Sequence, residues 1–347
     1  TSDLIAVWEG EKLTKETAFL TSGIKTVYWL QQFPTIFKQM MAEAQGMYLN
    51  TNEHLRASTE VETREDRFIK QVKQDYPAHQ VYKSAPIMHK IRSIKEAVEL
   101  ELMQRACKIT EAGVRRLLGF IKPGVWEYEI EAELAHEFLR NRSKGFAYTP
   151  IVASGKNACV LHYIENNQQC KDGDVILLDV GAEYANYSSD LTRCIPVNGK
   201  FTPRQKEVYN AVLNVKKEAE KLLVPGTIMA EYHKEVGKLM EAQLLNLKLI
   251  DQTDIKNQNP EWPAYKKYFM HGTSHFLGLD THDVGLWHEP IQAGMVFTCE
   301  PGIYIPEEGL GIRLEDDLVI QASGQPFNLM KDIPLEAEEI EELMNTH

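Results

Sequence analysis

The sequence has no CxxC pair and no even set of cysteines; its five are Cys107, Cys159, Cys170, Cys194 and Cys299. That argues against a disulfide framework and points to a reduced, cytoplasmic setting. No run of eighteen apolar residues occurs, so no transmembrane helix and no membrane partner are expected. No signal-like apolar segment follows Thr1-Ser2-Asp3, and the first residue is not Met, so the gene need not start at Thr1. There is no basic surplus: 38 Lys and Arg stand against 50 Asp and Glu, a net charge of −12. Nucleic acid is therefore not an expected partner. What is present is ordinary for a globular protein, 43% hydrophobic and 25% charged over 347 residues. That length suits two domains, or one large domain and a smaller one.

The stretch that organises the chain is VILLDVGAEYANYSSDLTR, residues 175–193. Asp179 follows the apolar run Val175-Ile176-Leu177-Leu178, which predicts a buried strand with a carboxylate inside it. A buried carboxylate is costly without a cation. Asp190 comes after a short polar turn, at the start of a second strand-like run, Leu191–Val197. A hairpin would bring the two carboxylates face to face. Like charges that close raise a pKa unless a metal sits between them.

Residues 1–90 predict a small α/β region. Leu4–Trp8, Thr26–Leu30 and Met47–Leu49 are expected strands, Pro34–Gln45 and Arg64–Lys73 expected helices, and Ser84-Ala85-Pro86 a boundary. The elements are too few to close a sheet, so the first half of this domain is expected to be missing. Residues 91–347 form the second expected domain. Ile91, Ile94, Val98, Leu102, Ala106, Ile109, Gly113 and Leu117 follow three- and four-residue steps, a long helix that stops at Lys122-Pro123-Gly124. A second helix is expected over Glu127–Arg142, then strands over Ile151–Ala153 and Ala158–Leu161.

After the hairpin the order repeats. Thr202-Pro203 is an N-cap and first-turn pair for a helix to Leu223, which ends at Val224-Pro225-Gly226. A helix over Met229–Asn246 follows, then strand-like runs over Gly294–Ile305 and Leu314–Gln321. Two helix–helix–strand halves imply an internal duplication with a site between them.

The second half adds His271, His275 and His282, in HGTSH and HDVG, and two carboxylates, Glu300 in FTCEPG and Glu315 in GIRLEDD. Alone, each has a plainer reading: a turn-forming Asp, a hydrogen-bonded His, a Glu in an acidic surface run with Asp316 and Asp317. Together, Asp179, Asp190, His275, Glu300 and Glu315 form an oxygen-rich set with one nitrogen. Such a set suits Mn²⁺, and also Co²⁺ or Zn²⁺, with charge enough for two divalent ions.

From about Ile91 to Gln321 the chain resembles the pita-bread metallopeptidases, and most of all aminopeptidase P. The resemblance rests on LLDVGAEYANYSSDLTR, HGTSHFLGLDTHDVG, FTCEPGIYI and GIRLEDD. It implies an α+β fold: a pita-bread catalytic domain of pseudo-twofold halves behind a partial creatinase-like α/β domain. It places metal ligands at Asp179, Asp190, His275, Glu300 and Glu315, with Asp190 and Glu315 bridging both ions. It makes His162, His271 and His282 catalytic and substrate-side histidines. Arg313 becomes a supporting active-site arginine, and Tyr304 a substrate-side group. Cys159 and Cys299 flank this set and read as packing residues.

The implied reaction is hydrolysis of the first peptide bond of Xaa-Pro peptides. Glu300 serves as general base, and a hydroxide held between two ions attacks the carbonyl carbon. The preferred partners are peptides with proline in second position, and the family implies a dimer or tetramer when the N-terminal domain is complete. A prolidase shares all five ligands and stands as the alternative. A methionine aminopeptidase fits less well, because of the preceding N-terminal portion and the HGTSH…HDVG context. From another class, a pita-bread module without metals would bind peptides and not cleave them.

Overall fold

The computed structural model describes residues 3–51 and 60–346. The chain divides into two compact units, Thr1–Ile87 and Met88–His347. In the first, α1 (Asp3–Glu9), α2 (Lys15–Ser22), α3 (Phe33–Glu43) and α4 (Arg64–Asp75) accompany a parallel pair, β1 (Gly46–Leu49) and β2 (Gln80–Lys83). Two expected strands are absent. Leu4–Trp8 lies in α1, and Thr26–Leu30 is an unpaired segment running into a 3-10 turn. Apolar residues predict a strand only where a neighbouring strand accepts their backbone groups. Residues 4–8 find partners within a helix instead, whose end is marked by the Gly10 N–H donating to Ala6 O at 3.0 Å.

In the second unit the predicted long helix is two. After α5 (Ala85–Ser93) the chain is extended at Ile94 and Lys95, then resumes as α6 (Ala97–Leu118). Ile94 bridges Met295, and Lys95 N–H donates to Gly294 O at 2.9 Å. Only α6 buries the predicted face, with Ala106, Ile109, Gly113 and Leu117; Ile91, Ile94 and Val98 are exposed, so the apolar spacing before and across the break marks no packed face. α7 (Glu127–Arg140) follows, then β3 (Gly145–Phe146) and β4 (Ile151–Ser154). The expected strand over Ala158–Leu161 is a 3-10 turn, Gly155–Cys159, entered through Gly155 at φ 55°.

The organising hairpin is present. β5 (Val175–Val180) pairs antiparallel with β8 (Leu191–Pro196) and with β4, and the small β6 (Ala182–Tyr184) and β7 (Tyr187–Ser188) fill the turn. Asp179 stands opposite Ile151 on one side and Thr192 on the other. Gly181 admits the return of the chain: a Cβ there would lie 1.8 Å from Ser189 O.

The second half repeats the order with α8 (Pro203–Leu222), α9 (Met229–Asn246) and a short α10 (Gln252–Lys256). The expected run 294–305 is two strands, β9 (Val296–Cys299) and β10 (Gly302–Ile305), broken at Glu300-Pro301. The run 314–321 is likewise displaced into β11 (Leu310–Arg313) and β12 (Asp316–Val319), broken at Leu314-Glu315. β12 lies between β9 and β13 (Phe327–Asn328), β10 pairs with β11, and α11 (Ala337–Asn345) closes the chain.

The duplication extends to the turns. Gly124 and Gly226 have φ of 96° and 95°. Each donates its N–H to a carbonyl from a later loop of its own half, Cys170 at 2.8 Å and Ile291 at 2.9 Å. The helices bury apolar faces over the strands, with Ile130, Leu134 and Phe138 from α7 and Tyr232, Val236 and Met240 from α9 in one core.

Candidate metal centre

Three of the four carboxylates sit where strands break. Asp190 lies between β7 and β8, Glu300 between β9 and β10, and Glu315 between β11 and β12. At a break the backbone turns and the side chain is freed from the alternation of the pleat. Asp179 alone lies within a strand. The segment 273–277 runs beside β9: Leu277 N–H donates to Val296 O at 3.1 Å, Thr298 N–H to His275 O at 3.0 Å, and Glu300 N–H to Thr273 O at 2.8 Å. That ladder sets His275 beside Glu300.

The five side chains converge. One ligand atom each from Asp190, His275 and Glu315 lie within 4.8 Å of one another. His275 Nε2 is 3.4 Å from Asp190 Oδ2 and 3.6 Å from Glu300 Oε1. Asp179 joins through Tyr148, whose hydroxyl lies 2.7 Å from Asp179 Oδ1 and 2.6 Å from Asp190 Oδ1. His275 Nδ1 lies 2.9 Å from Phe276 O. A carbonyl can only accept, so Nδ1 carries the hydrogen and Nε2 faces the carboxylates.

Burial pushes the Glu300 carboxyl up to about 7, against the pull of His275 and Arg313. Burial raises Asp190 and Glu315 as well, and the neighbouring carboxylates raise both further. Burial alone would lower His275, yet Asp190 and Glu300 raise it to about 9. The imidazolium proton thus occupies the place between two carboxylates that a cation would take. Four converging carboxylates, hard oxygen donors plus one imidazole nitrogen, fit a divalent metal centre in number and chemistry. Binding there would displace the His275 proton.

The remaining predicted residues fall around this cluster. Arg313 is buried and donates to Asp179 Oδ2 at 2.5 Å, to Tyr304 Oη at 2.7 Å and to Thr192 Oγ1 at 3.2 Å. Tyr304 is buried in turn, with its hydroxyl 2.8 Å from His271 Nε2. Burial, then Arg313, lowers His271 to about 3, so its ring is neutral and accepts the Tyr304 proton. His271 Nδ1 is 3.7 Å from Glu300 Oε2. His282 is exposed and stacks edge-on against the His275 ring, centroids 4.5 Å apart. His162 is exposed on the segment after β4, within electrostatic range of His271. Cys299 is buried, whereas Cys159 is half-exposed.

Four supporting residues lay outside the sequence reading. Tyr148 ties Asp179 to Asp190. Thr192 donates its hydroxyl to Glu315 Oε2 at 2.6 Å. Arg193 is buried and donates to Glu315 O at 2.7 Å and to Asp316 Oδ1 at 2.6 Å. Lys216, also buried, reaches Asp316 Oδ2 at 2.6 Å. Asp317 Oδ2 accepts the Asp190 N–H at 3.0 Å. The Glu315-Asp316-Asp317 run is therefore buried throughout, not an acidic surface. Thr192 and Arg193 stand two and three residues after Asp190 in DLTR, the one local signal among these; nothing marks Tyr148 in the sequence.

Comparison with known proteins agrees with this geometry. The model for metallopeptidase family M24 matches residues 101–322. An Xaa-Pro aminopeptidase of Haemophilus influenzae is 35% identical over 99% of this chain and 79% of its own. Proline aminopeptidase P II of Yersinia pestis superposes with a TM-score of 0.88 at 33% identity, covering 100% of this chain and 82% of that one. A Zn-substituted Escherichia coli aminopeptidase P in complex with product gives 0.87 at 33% identity, with 99% and 80% covered. The pita-bread fold is that of these structures, and the chain belongs to metallopeptidase family M24.

Proposed function

We propose that the chain is an Xaa-Pro aminopeptidase, a hydrolase that releases the residue before a proline in second position. The observation that carries this is the convergence of Asp190, His275 and Glu315, joined to Asp179 through Tyr148 and to Glu300 through His275. Those five would hold two divalent ions. Mn²⁺ suits the oxygen-rich set best, with Co²⁺ and Zn²⁺ as substitutes. When bound, the ions supply Lewis acidity and make water a nucleophile near neutral pH.

The chain's own residues do the rest. Glu300, beside His275 and on the same cluster, would take a proton from water and return it to the leaving prolyl nitrogen. Arg313 and Tyr304 form a relay of hydrogen bonds that fixes the His271 ring. His271, whose Nδ1–H donates to Gly272 O at 2.8 Å and whose Nε2 accepts from Tyr304, would present its ring to seat the proline, while His282 and His162 would hydrogen-bond the substrate carbonyl. A prolyl nitrogen carries no hydrogen and its ring is fixed, so recognition must come from shape.

The free thiols of all five cysteines support a reducing, cytoplasmic setting, and a dimer or tetramer is proposed on family grounds. No helix among the described residues is long and apolar enough to cross a membrane. The test is release of the free N-terminal residue from Xaa-Pro-Yaa peptides by the metal-loaded chain, with and without chelator. Chelator-sensitive release supports the reading; no release from any loaded preparation overturns it.

A further inference from the structure

Glu127 opens α7, far in sequence from every residue of the metal cluster, and is completely buried. No cation faces it among the described residues; five hydrogen-bond donors do. Its Oε1 accepts from Ser154 N at 2.8 Å, Ser154 Oγ at 2.7 Å and Asn157 Nδ2 at 3.2 Å. Its Oε2 accepts from Tyr163 Oη at 2.8 Å and Gln168 N at 2.9 Å. Ser154 ends β4 and Asn157 begins the long connection to β5, Tyr163 stands in its middle, and Gln168 lies on its return. One carboxylate therefore gathers the entry, middle and exit of a single loop.

That loop carries His162, the neighbour of Tyr163. Leu161 is half-buried and Val160 and Ile164 are exposed, so the apolar core holds this stretch weakly apart from buried Tyr163. The backbone turn at Tyr163 N–H to Val160 O, 3.2 Å, shapes the tip without anchoring it. The anchors are polar: Glu127 from α7, and buried Asn166 on the return, which accepts from Val152 N–H at 3.0 Å and donates to Pro150 O at 3.0 Å and Glu131 Oε2 at 2.8 Å.

We propose that Glu127 is a positioning residue for His162, holding the 154–168 loop so that the imidazole faces the metal cluster. This rests on the reading that His162 contacts the substrate. A carboxylate suits the place because each of its oxygens receives one backbone N–H, a group that can only donate. In either orientation a glutamine amide would turn its own N–H group against one of these two.

The test is a double-mutant cycle of Glu127→Gln and His162→Ala on an Xaa-Pro-Yaa peptide, with metal content measured in each variant. Glu127→Gln is expected to lower kcat by about tenfold with KM nearly unchanged and metal retained. In the His162→Ala background it should cost no more than about twofold, since the imidazole it positions is gone. An equal cost in both backgrounds overturns the proposal. Hydrogen exchange at the Ser154 and Gln168 amides supplies a readout free of activity. Faster exchange in Glu127→Gln is expected, and unchanged exchange overturns the anchor. If the wild-type chain cleaves no Xaa-Pro peptide, the functional reading fails while the exchange arm still decides whether Glu127 holds the loop. If Glu127→Gln does not fold, Tyr163→Phe removes one donor and carries the same cycle: coupling to His162→Ala upholds the proposal, additivity overturns it.

Discussion

Thr192 and Glu315 are joined twice. The Thr192 hydroxyl donates to Glu315 Oε2 at 2.6 Å, and the Glu315 N–H donates to Thr192 O at 3.1 Å. The pair stitches β8 of the first half to the break between β11 and β12 of the second. A proposed bridging ligand is thus oriented by the opposite half of the molecule.

Thr192→Val keeps the shape and removes the hydroxyl, which also accepts from Arg313 Nε at 3.2 Å. Metal affinity should fall about 10- to 100-fold, the usual cost of losing a group that orients a ligand. Competition against a chelator measures it. Unaltered affinity would mean that Glu315 is held by its backbone alone.

Subtracting ligands one at a time should separate the two proposed ions. Loaded with Mn²⁺, the wild-type chain should approach about two ions per chain by elemental analysis. Asp190→Ala and Glu315→Ala should empty both places, because each is a proposed bridge. Asp179→Ala should spare one. Equal residual occupancy in all three variants would contradict the bridging assignment.

The histidines should divide by role. His275→Ala loses metal and turnover together, because its Nε2 faces Asp190 and Glu300. His162→Ala, His271→Ala and His282→Ala should lose turnover and keep metal. Metal content and kcat, measured on the same preparations, decide this. Metal loss in all four would show that ligand and substrate histidines have been wrongly divided.

A histidine on α9 gives the fold a pH dependence of its own. Burial lowers His233 below 6.5, and its Nδ1 accepts the Thr273 N–H at 3.3 Å, which only a ring with a free lone pair can do. The unfolded chain therefore takes up this proton first as the pH falls. The contribution is intact above about 6.5 and is lost as the pH drops towards the lower folded value. His233→Asn keeps an acceptor and cannot titrate, so its Tm should fall less between about pH 7 and pH 5 than that of the wild type. Parallel curves would assign the acid sensitivity elsewhere.

The parts legible in the sequence were those with a local cause. The apolar run before Asp179 marks a buried strand, and the caps at Thr202 and the turns at Gly124 and Gly226 mark helix ends. The breaks at Glu300 and Glu315 were not legible, because an apolar run looks the same whether the ladder continues or changes partner. In the structure, β9 pairs with β12, whereas β10 pairs with β11. The interruption at Ile94 has the same origin, since Met295 and Gly294 supply its partners. Tyr148 could not be found at all. It meets Asp179 and Asp190 across 31 and 42 residues of sequence, from a loop with no periodicity. Only the segments quoted for the family resemblance pointed to His271, His282 and Arg313 as one group.

Specificity for proline tests the central claim most directly. The measurement is kcat/KM of the metal-loaded chain on three matched substrates, Xaa-Pro-Yaa, Xaa-Ala-Yaa and the dipeptide Xaa-Pro. The account predicts cleavage of Xaa-Pro-Yaa at least about tenfold above both others, a gap of about 1.4 kcal/mol in transition-state binding. Preference for the dipeptide would make the chain a prolidase, and equal cleavage of the alanine peptide would contradict the proline-specific reading altogether.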